Sequence, residues 1–223
     1  MDLLRRLGGI LARLGYSLAH YRIGTIPLDL LAIIALFLVI PWEGWRGWQQ
    51  GFTPLRLLIM AGSGVLAVAL LILRFQHYVI YRCGFDETQP ARVFRLPPDE
   101  KLSLWASGHF EVGRNRRYFV QIPSQFTATE LGEYIVMARL RHRFSLGLIK
   151  ALSDEWGWWY IFIVPRMVRS MDSGRFYHGL SARPTIRIVY ESLTGKESVV
   201  YLSFGDRQTR DLVAQELRQS LQT

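Results

Sequence analysis

Two groups of arginines carry the clearest chemical potential in this sequence. Arg139, Arg141 and Arg143 alternate in ARLRHRF, so on an extended strand they leave one face together while Val136, Ala138, Leu140 and Phe144 turn to the other. Arg114, Arg116 and Arg117 crowd a short break between two runs rich in apolar residues. A guanidinium is a planar, permanently charged fork that suits carboxylate and phosphate oxygens, so either trio suits an anionic headgroup or an acidic protein surface. The same residues also make an ordinary solvated basic face, and the sequence leaves both readings open.

Nothing comparable points to catalysis. The five histidines, His20, His77, His109, His142 and His178, are scattered and lack the i, i+4 spacing of a zinc-binding helix. No G-x-S-x-G, phosphate-binding loop or dinucleotide fingerprint occurs. Asp154 and Glu155 are adjacent, so on a strand they face opposite ways and do not pair as acid and base. The single cysteine, Cys83, excludes an intrachain disulfide and a cysteine-based zinc cluster. No catalytic residue, metal or cofactor is expected. The net charge of +9 does not imply nucleic acid either, because there is no long Lys/Arg run and no C2H2 pattern. Eight arginines face three carboxylates in 1–83, against nineteen basic and fifteen acidic residues in 84–223, so the N-terminal part is the more basic per residue. That distribution suits an anionic leaflet.

The elements that must position these groups begin with two apolar runs. Seventeen uncharged residues lie between Arg56 and Arg74, and the stretch 55–75 as a helix measures about 31 Å, the thickness of a hydrocarbon core. The run 26–40 is apolar apart from Asp29 and is expected to continue through Pro41, a candidate kink, toward Trp45. Asp29 sits at the start of this run, where a carboxylate favours the helix N-terminus and can reach headgroups or Arg22; an ion or proton site is the alternative. Between the runs, PWEGWRGWQQGFTP reads as a connector, and Trp42, Trp45 and Trp48 as an aromatic belt at one interface. Ser63 and Ala67 belong to a small-residue patch that permits close helix packing, with the first span as the nearest partner. Residues 1–24 place Leu3, Leu4, Leu7, Leu11, Leu14 and Leu18 at steps of three and four, which predicts an amphipathic helix lying in the headgroup plane. A signal peptide is the rival, but Gly8, Gly9, Arg13 and Gly15 interrupt its core. Arg5, Arg6, Arg13, Arg22, Arg74 and Arg82 flank the spans on one side, which predicts an integral membrane protein with both termini in the cytoplasm.

After Gly84 the pattern becomes short runs rich in Val, Ile, Tyr, Phe and Trp, which predict strands near 92–96, 101–112, 117–126, 134–144, 146–152, 156–164, 185–191 and 198–204. Residues 165–184 show no sustained period and read as a long loop. A final helix follows Asp206 as N-cap, with Leu212, Val213, Leu217 and Leu221 as its apolar stripe. The expected class is α+β: an interfacial helix (1–24), a transmembrane hairpin (25–83, spans about 26–45 and 55–75) and an antiparallel β domain (84–223).

This order of elements, with LPPDEKLSLW at 96–105, the paired strands TIRIVYE and SVVYLSF around 194–196 and the closing helix from Asp206, resembles the bacterial pleckstrin-homology-like membrane proteins. The resemblance implies a bent sheet plugged by its C-terminal helix, a bacterial inner or plasma membrane, and a first hairpin loop, here Arg114, Arg116 and Arg117, as a headgroup-binding position. The function expected is a non-enzymatic, membrane-anchored module binding membrane lipids through anionic headgroups, or a protein partner. An accessory subunit of a larger membrane complex is the alternative, and a transporter or enzyme component using Asp29 is the third reading.

Overall fold

The computed structural model describes residues 2–84, 96–98, 100–141, 149–151, 157–192 and 195–222. Helix α1 (Asp2–Ala19) leads through the short strands β1 (Tyr21–Ile23) and β2 (Ile26–Pro27) into two long apolar helices, α2 (Leu28–Gln50) and α3 (Pro54–Phe75). At about 1.5 Å per residue these two are about 35 and 33 Å long, long and apolar enough to cross a membrane. Helix α2 runs on through Pro41, so the tryptophans expected in a connector ride on its last turns, exposed, and the link to α3 is only residues 51–53. The tip is closed by polar groups. Thr53 Oγ1 accepts from the Arg56 amide, and the Arg56 guanidinium donates to the Arg46 and Gly51 carbonyls at 2.9 and 3.0 Å and to Gln50 Oε1 at 2.6 Å. Ser63 and Ala67 are buried along the hairpin, and a Cβ on neighbouring Gly64 would already touch Ile40 of α2 at 3.5 Å.

The second half is built on strands β3 (Tyr81–Cys83), β4 (Leu102–Val112), β5 (Asn115–Ala128), β6 (Tyr134–Leu140), β7 (Ile149–Ala151), β8 (Gly157–Ile163), β9 (Val168–His178), β10 (Ser181–Glu191) and β11 (Glu197–Ser203), followed by α4 (Arg207–Gln222). The main sheet is antiparallel in the order β3-β9-β10-β11-β4-β5-β6-β8. A bridge between Glu111 and Tyr160 returns β8 to β4 and closes the barrel. Its core packs Phe110, Phe126, Trp159, Ile161, Ile188 and Leu202 against Val213 and Leu217 of α4, whose start is capped by Asp206 accepting from the Thr209 amide at 2.7 Å. Strand β7 instead joins β1 and β2 in a second small sheet.

Two expectations need correction. Residues 165–184 are not a loop: after one 3-10 turn they form β9 and the start of β10. The sheet also takes in Tyr81–Cys83, ahead of the boundary expected at Gly84. Gly174 permits this, since a Cβ there would meet the Arg82 carbonyl at 2.1 Å, and Tyr81 fastens it by donating to Asp172 Oδ1 at 2.5 Å. The strand expected near 92–96 lies almost wholly outside the described residues, as do the far end of the one expected at 134–144, whose strand β6 ends at Leu140, and much of the one expected at 146–152, of which Ile149–Ala151 is described as β7.

Candidate functional site

Helix α1 does not stand apart from the rest. Its glycine-bearing face approaches the sheet so closely that the Gly9 carbonyl accepts from the Gly179 amide at 2.8 Å, and a Cβ on Gly9 would lie 2.7 Å from the Gly179 oxygen. A Cβ on Gly15 would lie 2.4 Å from the Tyr78 ring. Tyr16 reaches past this contact and its hydroxyl accepts from the Val120 amide of β5 at 2.9 Å. The leucine face is left outward: Leu3 and Leu4 are 71 and 74 % exposed.

Where α1, the open end of the apolar hairpin and β5 meet, they line an open cavity of about 510 Å3. Its wall includes Tyr16, His20, Asp29, Arg74, His77, Tyr78, Arg117 and Tyr118. Asp29 is 2 % exposed; Arg74 and the Tyr78 hydroxyl both donate to its Oδ2, while Oδ1 is buried with no hydrogen-bond partner. Asp29 thus lies in the first turn of α2, as its position predicts, but its partner is Arg74 of α3 rather than Arg22. The reason is chain geometry: α3 returns antiparallel to α2, so the arginine closing the second apolar run arrives beside the carboxylate opening the first.

The backbone leaves α3 through two consecutive non-glycine residues in the left-handed region, His77 at φ 54° and Tyr78 at φ 59°. Such residues cost of order 1–3 kcal/mol each and persist where surrounding contacts over-determine them. Here the contacts are the buried Tyr78–Asp29 hydrogen bond and a ring cluster in which His77 lies 4.4 Å from Tyr118 and 5.8 Å from His109. Burial, then Arg116, then His77 lower the His109 pKa to about 4. Burial, then Arg13 and Arg183, do the same for His178, which lies 6.4 Å ring to ring from Tyr16. Burial raises the phenols of Tyr78 and Tyr118. Burial beside guanidinium charge therefore keeps His109 and His178 neutral near physiological pH. Among the described residues, no three of His, Cys, Asp or Glu are grouped to hold a metal ion.

The first arginine trio divides. Arg114 is exposed at the β4–β5 turn; Arg116 turns to Glu111 at 3.4 Å and Ser198 Oγ at 2.6 Å; Arg117 lines the cavity. In the second trio Arg139 and Arg141 are exposed at the end of β6, with Arg139 set 5.9 Å over Trp158, and Arg143 lies outside the described residues. Val136 and Ala138 are buried in the core as the alternation predicts. Of the tryptophans, Trp159 is in the core, Trp158 is exposed and Trp156 lies outside the described residues. Sequence reasoning singled out Asp29 and Arg117 in this cavity but missed Tyr16, His20, His77, Tyr78 and Tyr118. Their local signal is weak, because they come from segments up to a hundred residues apart. Compared with known proteins, the chain matches no family model, no curated protein and no solved structure.

Proposed function

We propose that this chain is a membrane-anchored, non-enzymatic interaction module: α2 and α3 cross the bilayer, α1 lies in the headgroup region of the cytoplasmic leaflet, and a pleckstrin-homology-like barrel is held against that leaflet to bind anionic headgroups. The observation that carries this reading is the orientation of α1. Its glycine face is locked to β9, β10 and the end of α3, while its leucine face is free beside the exposed apolar surface of the hairpin. A bilayer that takes the hairpin then also takes the leucines, with the exposed Arg6 among them toward phosphate. The exposed Trp42, Trp45 and Trp48 at the hairpin tip suit the opposite interface.

Because Arg117 lines the cavity at the cytoplasmic end of the hairpin, the β4–β5 turn with Arg114 is the face directed at lipid. Arg116, held by Glu111 and Ser198, belongs to the barrel instead. The full chain in nanodiscs tests this. Hydrogen exchange at the β4–β5 turn should slow when neutral lipid is replaced by acidic lipid, and the slowing should fade as salt rises from about 0.05 to 0.3 M. Changing Arg114 and Arg117 to Ala should abolish it, whereas changing Arg139 and Arg141 should not. If acidic lipid has no effect at low salt, the headgroup reading fails and a protein partner takes its place. Departure from the membrane in mild detergent as a fixed complex with other chains would instead support an accessory subunit.

A further inference from the structure

We propose that Arg13 of α1 and Arg183 of β10 together form a site for one phosphate group, which bridges the amphipathic helix to the barrel. The packing of α1 on the β9–β10 hairpin brings the two arginines together. The Gly179 amide donates to the Gly9 carbonyl, and the rings of Tyr16 and His178 meet edge to face at 6.4 Å, so the helix between Gly9 and Tyr16 lies along the end of that hairpin. Arg13, one helical turn after Gly9, extends over the same end. A Cβ on Gly179 would stand 3.1 Å from its Nη1 and 3.2 Å from its Cδ, and the glycine, at φ 69°, leaves that space to the guanidinium. In the β9–β10 register Ser181 faces His178 and Arg183 faces Phe176, so Arg183 is the diagonal neighbour of His178 on one side of the sheet.

The charge gathered here is not balanced by the chain. Arg183 stacks 3.5 Å over Trp105, and its Nη1 donates to Gln121 Oε1 at 3.2 Å; both partners are neutral, so they fix the guanidinium without compensating it. The charges that act on His178 are Arg13 and Arg183, and the charge that acts on Arg183 is Arg13; no carboxylate is among them. His178, kept neutral by burial and by both arginines, adds no charge of its own. Elsewhere Arg74 meets Asp29, Arg169 meets Glu191 and Glu197, and Arg187 meets Asp172. Like charges held together without an acid repel, and an anion between them removes the repulsion while accepting their remaining N–H groups. Two planar forks arriving from different elements suit the spread oxygens of a tetrahedral phosphate, whereas one fork suffices for a planar carboxylate. The phosphate is that of a lipid headgroup beside α1 or of a soluble phosphate compound, and the chemistry of the site is the same for both. The site goes beyond the headgroup reading of the β4–β5 turn and does not depend on it.

The experiment is thermal unfolding of the full chain in maltoside micelles free of phospholipid, with millimolar inorganic phosphate compared with chloride at equal ionic strength. Phosphate should raise the midpoint by at least about 3 °C. Arg13→Gln should abolish that rise. Arg13→Glu sets a carboxylate beside Arg183 and supplies the missing counter-ion, so it should unfold above Arg13→Gln in chloride and ignore phosphate. Arg13 is exposed and both replacements are good helix formers, which keeps α1 intact. Should Arg13→Glu fail to fold, the rise in the native chain and its loss in Arg13→Gln decide. Phosphatidylglycerol added to the micelles separates the two sources. If it stabilises the native chain more than Arg13→Gln and leaves no further rise for inorganic phosphate, the site holds a lipid phosphate; if inorganic phosphate still gives its full rise, the site holds a soluble one. Equal midpoints in chloride, phosphate and phosphatidylglycerol overturn the proposal. So does a rise that persists undiminished in Arg13→Gln, or a folded Arg13→Glu chain less stable than Arg13→Gln. Protection of the β4–β5 turn on acidic nanodiscs involves neither arginine, so failure here leaves the headgroup reading standing.

Discussion

At the scale of residues, the junction is governed by groups kept in their neutral forms around a few fixed charges. His109 and His178 titrate near 4 in the fold instead of at their ordinary 6.5, because burial and neighbouring arginines oppose the imidazolium. Above pH 6.5 both folded and unfolded chains hold them neutral and nothing changes. As pH falls below 6.5 the unfolded chain binds protons that the folded chain does not, so stability declines progressively toward pH 4. Thermal unfolding in detergent should therefore show a midpoint that drops between pH 6.5 and 5, above the range where carboxylates dominate, and His109→Gln should flatten part of that slope. A midpoint constant across this window would contradict the burial of these rings. Little of this was legible in the sequence. Asp29 was visible as a charge in an apolar run, but His20, His77 and Tyr118 carry no local spacing, and the chemistry of Arg74 depends on a helix returning beside Asp29. Arg114, Arg116 and Arg117 looked like one cluster because they are neighbours in sequence; successive strand positions point to different sides, so only Arg117 reaches the cavity.

At the scale of elements, the hairpin and the closing helix were readable because each has one dominant period or run. Strand β9 was not, for a physical reason. Ser173 and Gly174, and then Phe176 and Tyr177, are buried in consecutive pairs, since the sheet is covered on one side by the core and on the other by α1 and Tyr81 of β3. A strand buried on both faces loses the alternation that identifies a half-exposed one. The first span was underestimated instead: it was expected to reach only toward Trp45, with Pro41 a candidate kink, and α2 continues to Gln50. Helix α4 offers the direct test at this scale. Leu217 is buried in the barrel core, and an aspartate there loses packing and buries an unpaired carboxylate, each a matter of several kcal/mol against a total stability of about 5–15. Leu217→Asp in the full chain should abolish the cooperative β-sheet transition while the helical signal of the hairpin persists. An equally stable barrel would mean that α4 does not plug it.

At the scale of the whole molecule, a hairpin, an amphipathic helix and a barrel share one junction, and the backbone contacts that fasten it, Gly179 to Gly9 and Tyr177 to Ile80, tie the barrel to α1 and to the exit from α3. Every element of the proposed function depends on that junction lying at one membrane surface, with the hairpin tip at the other. The measurement that tests this most directly is site-specific thiol labelling in intact cells, with Cys83 replaced by Ser. Gln50→Cys, at the end of α2, should react with a membrane-impermeant reagent without treatment, and Gln208→Cys, exposed on α4, only after the membrane is permeabilised. The reverse pattern, or both positions reacting alike in intact cells, would contradict a hairpin that crosses twice and returns the barrel to the cytoplasmic side.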